Sequence, residues 1–258
     1  MTRAVALLLA ATVLAPPSAG AGTPRSPLAL TAAPAHVALA GATRAEVSVT
    51  NHGLRAVVVD VVRAGFSLDL RGRPRVVTGE RARAAASWLT VAPRRFVLDP
   101  GTTRSLTVMS RLPGRVEPGD HDALVLLSTR PLRDRGVAVR MRVGVVVVVR
   151  APGPIVRRLV VRDLRVRRAP GARLLELRLA NRGNVTESLA PGAVRVALRR
   201  GSLDLGLRST GRRMIRPRTE GVMQIACPRF LRGWLTATVR IASEPGRPAA
   251  RRTFRVRL

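Results

Sequence analysis

Along most of the chain, apolar and polar residues alternate with a period of two. This spacing is typical of β-strands that bury one face and expose the other. Clear examples are Glu46–Thr50, Ser105–Val108, Val137–Val143, Leu174–Leu179 and Thr238–Ile241. Clusters of Pro, Gly, Asn and Asp separate the runs, as turns between strands require. Many short strands at regular spacing predict an all-β sandwich or barrel.

The strand pattern occurs twice. Glu46–Gly53 matches Glu176–Gly183 in its apolar positions and in the Asn-x-Gly turn that ends each segment. Two further landmarks repeat in the same order: Pro100–Thr102 with Pro217–Thr219, and Gly119 with Gly233, each glycine followed by alternating apolar residues. Matched landmarks in one order indicate two copies of one fold. We therefore predict two tandem immunoglobulin-like β-sandwich domains, at residues 22–151 and 154–258.

The first 21 residues have the features of a signal peptide. Arg3 precedes the apolar stretch Ala4–Ala15, and the small residues Ala19–Ala21 offer a cleavage site after Ala21. The stretch is shorter than the roughly 20 residues that span a bilayer. We expect an exported protein (secreted, periplasmic or cell-surface) with no transmembrane span in the mature chain.

The composition adds a strong positive charge to this fold. The net charge is +31 and all 46 basic residues are Arg, whereas aromatic residues make up 2%. Two interpretations stay open: binding of an anionic envelope polymer or lipid surface, or the amino-acid usage of a GC-rich genome. Nucleic acid is not predicted as a partner, because export separates the protein from it and no aromatic stacking surface accompanies the arginines.

Residues able to carry chemistry are few and scattered. His36, His52 and His121 have no metal-ligand spacing, and neighbouring side chains of Asp120–Asp122 would point to opposite faces of a strand. The single cysteine, Cys227, is typical of a small buried residue. We predict no metal, no cofactor and no catalytic site, and therefore no enzyme.

His121 has a predicted structural role. It follows Gly119 by two residues, at the place where immunoglobulin-like folds carry a corner tyrosine. We expect its ring to be at least half buried and to donate a hydrogen bond to a backbone carbonyl upstream.

The layout of the first domain resembles the amino-terminal domain of periplasmic pilus chaperones. The matching segments are Trp88–Pro93, Phe96–Gly101, the turn Glu117–Asp120, the strand Ala123–Ser128 and a long strand Val137–Arg150 that runs into Pro152. The resemblance covers most of this domain, and the second domain matches as a sandwich of the same class.

The resemblance implies a binding mode for the long strand. In that family its alternating apolar side chains contact a pilus subunit, and basic residues anchor the terminal carboxylate of the subunit. The corresponding apolar residues here are Val139, Met141, Val143, Val145, Val147 and Val149. The candidate anionic anchors are Arg140, Arg142 and Arg150, while no Arg or Lys lies between Ser26 and Thr43.

Two functions follow as expectations. The first is a non-enzymatic, chaperone-like assembly protein of the bacterial cell envelope that binds a surface or fibre subunit by β-strand addition. The alternative is an adhesive or scaffold module held to anionic envelope polymers by its arginines. Whether Val143–Val149 is an open edge or a central strand decides between them.

Overall fold

The structure is a computed structural model that describes residues 28–77, 85–130, 132–134, 137–242 and 250–258. The predicted signal peptide, residues 1–21, lies outside the described residues. No helix in these described ranges has the length and apolar character needed to cross a membrane.

The first half of the chain folds as a β-sandwich. Its strands are β1 Leu30–Ala33, β2 His36–Ala40, β3 Arg44–Asn51, β4 Val57–Leu68, β5 Pro74–Val77, β6 Leu89–Ala92, β7 Arg95–Leu98, β8 Thr103–Ser110, β9 Gly119–Thr129, β10 Leu132–Asp134, β11 Val137–Val139 and β12 Arg142–Ala151. In the described residues one sheet has the order β1-β3-β8-β6. The facing sheet has the order β2-β12-β9-β4-β5, with β7 also beside β4, and β10 and β11 form a separate hairpin.

The second half repeats the arrangement with fewer strands in its two main sheets. Its strands are β13 Leu159–Ala169, β14 Ala172–Asn181, β15 Glu187–Leu189, β16 Val194–Arg200, β17 Leu203–Arg208, β18 Arg213–Ile215, β19 Glu220–Cys227, β20 Trp234–Ile241 and β21 Ala250–Arg257. Among the described residues, the sheet β13-β14-β19 faces the sheet β17-β16-β20-β21. The predicted all-β fold of two immunoglobulin-like sandwiches is confirmed, whereas the domain limits at residues 151 and 154 stay a prediction.

The alternating sequence pattern accounts for both cores. In β3, Val47 and Val49 are fully buried while Glu46 and Ser48 face solvent. In β14, Leu175, Leu177 and Leu179 are fully buried in the same way. Each sandwich has its own cluster of buried Val, Leu, Ile and Ala side chains. At about 1.5–3 kcal/mol for each large apolar side chain, burial of these faces is the main term that stabilises both sandwiches.

The repeated Asn-x-Gly turns form the same buried corner in each sandwich. Asn51 Nδ2 donates to the carbonyls of Arg55 and Leu98 at 2.9 and 3.0 Å, and its Oδ1 accepts from the Gly53 amide at 2.9 Å. Asn181 makes the equivalent bonds to Val185, Ile215 and Gly183 at 2.7, 3.0 and 2.9 Å. Each asparagine is 1% exposed, so its amide satisfies backbone groups that water does not reach.

Candidate partner-binding edge

Strand β12 has two halves with different neighbours. Over its whole length it pairs antiparallel with β9, from Arg142 opposite Ser128 to Ala151 opposite Gly119. On its other side β2 pairs with it in parallel, but only from Val146 to Arg150. No described strand pairs with residues 142–145 on that side, although the Leu30 amide of β1 donates to Met141 Sδ at 3.2 Å just before them. This half of β12 is therefore an open edge in the sense that its backbone ladder has no second partner. The name "β12 edge" is used below for residues 142–145.

The direction of the backbone groups at the β12 edge follows from the paired half. The Val146 amide donates to the Ala35 carbonyl at 3.0 Å, which places the backbone groups of Val146 on the β2 side. Because these groups alternate along a strand, the N–H and C=O groups of Gly144 and Arg142 also point to that side. The β12 edge therefore presents donors and acceptors for one more strand.

The predicted long strand Val137–Arg150 is interrupted before this edge. Val137–Val139 forms β11 and pairs with β10, and β12 begins at Arg142. Between them the Met141 amide donates to Thr129 Oγ1 at 2.9 Å, and the Thr129 amide donates to the Met141 carbonyl at 3.0 Å. Because a side-chain hydroxyl replaces one backbone partner, the ladder is irregular at this point.

The six predicted contact residues fall into two groups. Val145, Val147 and Val149 are fully buried and belong to the core. Val139 is 47% exposed, and Met141 and Val143 are half-buried against the rim of the core. Of the six, Val139, Met141 and Val143 thus keep apolar surface exposed, with Val143 on β12 and the other two on the interrupted stretch before it. Their role in binding a partner stays a prediction.

The three candidate anchors also differ. Arg140 and Arg142 are exposed, next to the open half of β12. Arg150 instead makes a two-pronged ion pair with Asp120, with Nε–Oδ1 and Nη2–Oδ2 distances of 2.7 and 3.1 Å. The carboxylate of Asp120 is 1% exposed and also accepts from the Thr186 amide of the second sandwich at 2.7 Å. Arg150 is therefore committed to the contact between the sandwiches.

Asp122 extends the same contact. It pairs with Arg216, whose guanidinium also donates to the Phe66 carbonyl at 2.9 Å and lies 4.5 Å from the centroid of the Phe66 ring. Burial raises the pKa of Asp122 above its ordinary value, and the charge of Arg216 offsets only part of this effect. Burial also tends to raise the pKa of Asp120. The hydrogen bonds and the charge of Arg150, together with the hydrogen bond from Thr186, outweigh this effect, so the pKa of Asp120 is lowered. These two carboxylates tie the sandwiches together, a role that sequence reasoning missed because Arg216 is 94 residues from Asp122.

His121 lies at the start of β9, between these two carboxylates in sequence. Its ring is half-buried, with Nε2 2.7 Å from the Glu117 carbonyl oxygen and the ring edge against Trp88 at a centroid distance of 4.8 Å. The contact fixes the turn that leads into β9. Within the described part of the chain, no group of three His, Cys, Asp or Glu side chains is arranged to hold a metal ion.

Comparison with known proteins gives structural matches but no match in sequence. No family model and no curated protein matches the chain. The class 5 fimbriae chaperone CfaA is 11% identical with a TM-score of 0.49, and the alignment covers 88% of this chain and 99% of that one. The YadV chaperone is 13% identical with a TM-score of 0.47, covering 88% and 98% of the two chains. The E. coli chaperone DraB is 13% identical with a TM-score of 0.45, covering 90% and 98%.

These matches are chaperones, the class of protein that the layout of the first domain resembles. Because each of these identities is far below 25% and each of these TM-scores is below 0.5, the likeness assigns no function to this chain.

Proposed function

We propose that this protein is an exported, non-enzymatic assembly protein that binds an extended segment of a partner by strand addition at the β12 edge. The observation that carries the proposal is that β9 alone of the described strands pairs with residues 142–145, because β2 pairs with β12 only from Val146 onward. An unpaired strand edge is a template for another strand, and backbone hydrogen bonds supply affinity in this mode.

The side chains next to the edge support the same binding mode. Met141 and Val143 pack only partly against the core, and Val139 of the neighbouring strand β11 is 47% exposed. A partner strand laid along the β12 edge would cover this row with its own apolar residues. Arg140 and Arg142 would then lie beside the partner, where they favour an acidic group such as a terminal carboxylate.

The proposed partner class is a protein subunit with an extended segment of alternating apolar residues. The signal peptide predicted at residues 1–21 supports export and implies a mature amino terminus at residue 22. Mass spectrometry of protein recovered from the cell envelope or medium measures this directly. Recovery of a chain that still carries residues 1–21 would contradict the proposed export to the cell envelope.

The binding mode is tested with a capped synthetic peptide of about twelve residues in which Val and Thr alternate. Hydrogen exchange followed by NMR reports each amide separately. We expect the peptide to slow exchange at Arg142 and Gly144 by about tenfold or more, with little change at Val146, which already donates to Ala35. The same peptide N-methylated at alternate residues cannot complete the ladder and should have no effect.

The matched variants are Val143→Asp and Val97→Asp. Val97 is 56% exposed on β7 and lies away from the β12 edge, so its replacement controls for the added charge. We expect Val143→Asp to abolish peptide binding and Val97→Asp to leave it unchanged. Equal binding by both variants, or protection of some other edge, would contradict strand addition at β12.

A further inference from the structure

The outer face of the sheet β17-β16-β20-β21 carries an unusual row of charges. In the pairing register, Arg195 of β16 lies opposite Arg208 of β17 and opposite Arg240 of β20, and Arg240 lies opposite Arg251 of β21. All four side chains are exposed. Four arginines therefore stand side by side across four neighbouring strands. Like charges placed directly opposite one another destabilise a sheet, so this row does not serve the fold.

Two residues away from each arginine, on the same outer face of its strand, lie small side chains that form a floor. Gly206, Ala197, Thr238 and Thr253 lie opposite one another in the same register. The hydroxyls of Thr238 and Thr253 are 3.3 Å apart and face the same space. Because none of these four residues has a large side chain, the arginines border a depression among the described residues.

Arg199 closes the depression on the far side. The resulting cavity has a volume of about 260 Å³, and its lining includes all five arginines. We call it the arginine cleft and define its basic groups as Arg195, Arg199, Arg208, Arg240 and Arg251. Successive strands are about 4.8 Å apart, so the row of four arginines extends over roughly 14 Å.

The carboxylates of these strands do not balance this charge. Asp204 is the one acidic residue in the four strands as described, and it pairs with Arg199 at 2.8 Å. Glu244 follows β20 in the sequence and lies outside the described residues. Even if it is counted, two carboxylates stand against five guanidinium groups.

We propose that the arginine cleft is a binding site for an anion that carries two or more neighbouring phosphate groups. Guanidinium groups bind phosphate oxygens in a two-pronged geometry, and hydroxyl groups such as those of the two threonines add neutral donors. A single phosphate would contact two or three of the arginines, whereas a diphosphate or a cluster of phosphates offers enough oxygens for more of the five to bind at once. This site lies on the second sandwich and does not depend on the β12 edge.

The first test is calorimetric titration of the mature protein with inorganic pyrophosphate, at an ionic strength held constant with sodium chloride. The site variant is Arg195→Gln with Arg240→Gln, which removes the centre of the row. The control variant is Arg44→Gln with Arg75→Gln, two exposed arginines of the first sandwich, and it has the same net charge. We expect affinity to fall about tenfold or more in the site variant and less than about twofold in the control.

The thermal midpoint of unfolding checks that the arginines are not structural. Because the substitutions relieve repulsion between opposite arginines, the site variant without ligand should melt at the same temperature as the original protein or higher. A clear fall in its melting temperature would overturn the proposal, as would equal loss of affinity in both variants. Absence of pyrophosphate binding above that of chloride would overturn it as well.

Vesicles separate the two sources of such phosphates. Binding to phosphatidylcholine vesicles that contain phosphatidic acid, more strongly than to vesicles of equal charge that contain phosphatidylserine, supports a lipid-borne phosphate. Pyrophosphate binding without preference between these vesicles supports a soluble or glycan-borne phosphate group. In both cases the site variant should lose the interaction and the control variant should keep it.

Discussion

The two sandwiches of this chain have the same buried corner but different surfaces. Asn51 and Asn181 each donate to two carbonyls and accept from an amide two residues later, with matching geometry. In the first sandwich, no described strand pairs with the backbone of residues 142–145 on one side. The second sandwich instead exposes a row of opposed arginines on its outer sheet. One plan of buried positions is therefore compatible with two different surfaces, one made of unpaired backbone groups and one made of charge.

The largest expected effect is the difference in folding stability between variants that place a charge in the two halves of β12. Val147→Asp would place a charge at a fully buried position, at a cost of about 4 kcal/mol or more, and should unfold the first sandwich. Val143→Asp, at the half-buried rim, should cost about 1–2 kcal/mol and leave the sandwich folded. Fluorescence of Trp88 in a Trp234→Phe background reports on the first sandwich alone, because the chain has 2 tryptophans. Similar losses for the two variants would mean that the halves of β12 do not differ as the pairing indicates.

The next effect tests whether the two corners are equivalent. Asn51→Ala or Asn181→Ala would leave two carbonyls and one amide unsatisfied in a buried place, at a cost of about 2–3 kcal/mol in the sandwich concerned. Each tryptophan reports on its own sandwich, so denaturant unfolding of single-tryptophan proteins measures the two costs separately. Asn51→Ser is the control: its hydroxyl can replace at most one of the hydrogen bonds of the Asn51 amide, so it should recover only part of the stability that Asn51→Ala loses. If one corner variant proves neutral, the repeated sequence would not reflect a repeated stabilising role.

The strands with one buried face and the presence of two similar sandwiches could be predicted from the sequence. The first depends on local alternation of apolar and polar residues, and the second on segments that match each other. Val47, Val49 and Leu177 are buried where the period of two places them. The Asn-x-Gly repeat also pointed to the two corners, although it did not indicate the hydrogen bonds of the amide.

The remaining features depend on pairing between distant segments. Nothing near Val146 in the sequence indicates that β2 joins β12 there, and so the buried and open halves of the valine run could not be separated. The ion pair between Asp122 and Arg216 and the row through Arg195 and Arg240 likewise arise only from tertiary contact and strand register.

The smallest expected effect concerns pH at the contact between the sandwiches, where Asp120 and Asp122 have opposite pKa shifts. The pKa of Asp120 is lowered below its ordinary value of 3.8, so its ionised form stabilises the folded state above that pH. This contribution is lost as the pH falls through the folded-state pKa. The pKa of Asp122 is raised above 3.8, so its protonated form favours folding, and stability decreases as the pH rises from 3.8 through the raised value.

The corresponding variants are Asp120→Asn and Asp122→Asn, measured by denaturant unfolding from pH 3 to pH 7. Asp120→Asn should lower the free energy of unfolding at pH 7, by on the order of 1 kcal/mol, and the deficit should shrink below about pH 4. Relative to the original protein, Asp122→Asn should gain stability as the pH rises above about 4, because the cost of ionising the buried carboxyl is absent. Loss of the partner of Arg216 lowers the whole curve of this variant without changing that slope. Parallel curves for both variants would show that neither carboxyl titrates differently in the folded and unfolded states, and the contact between the sandwiches would then be insensitive to pH.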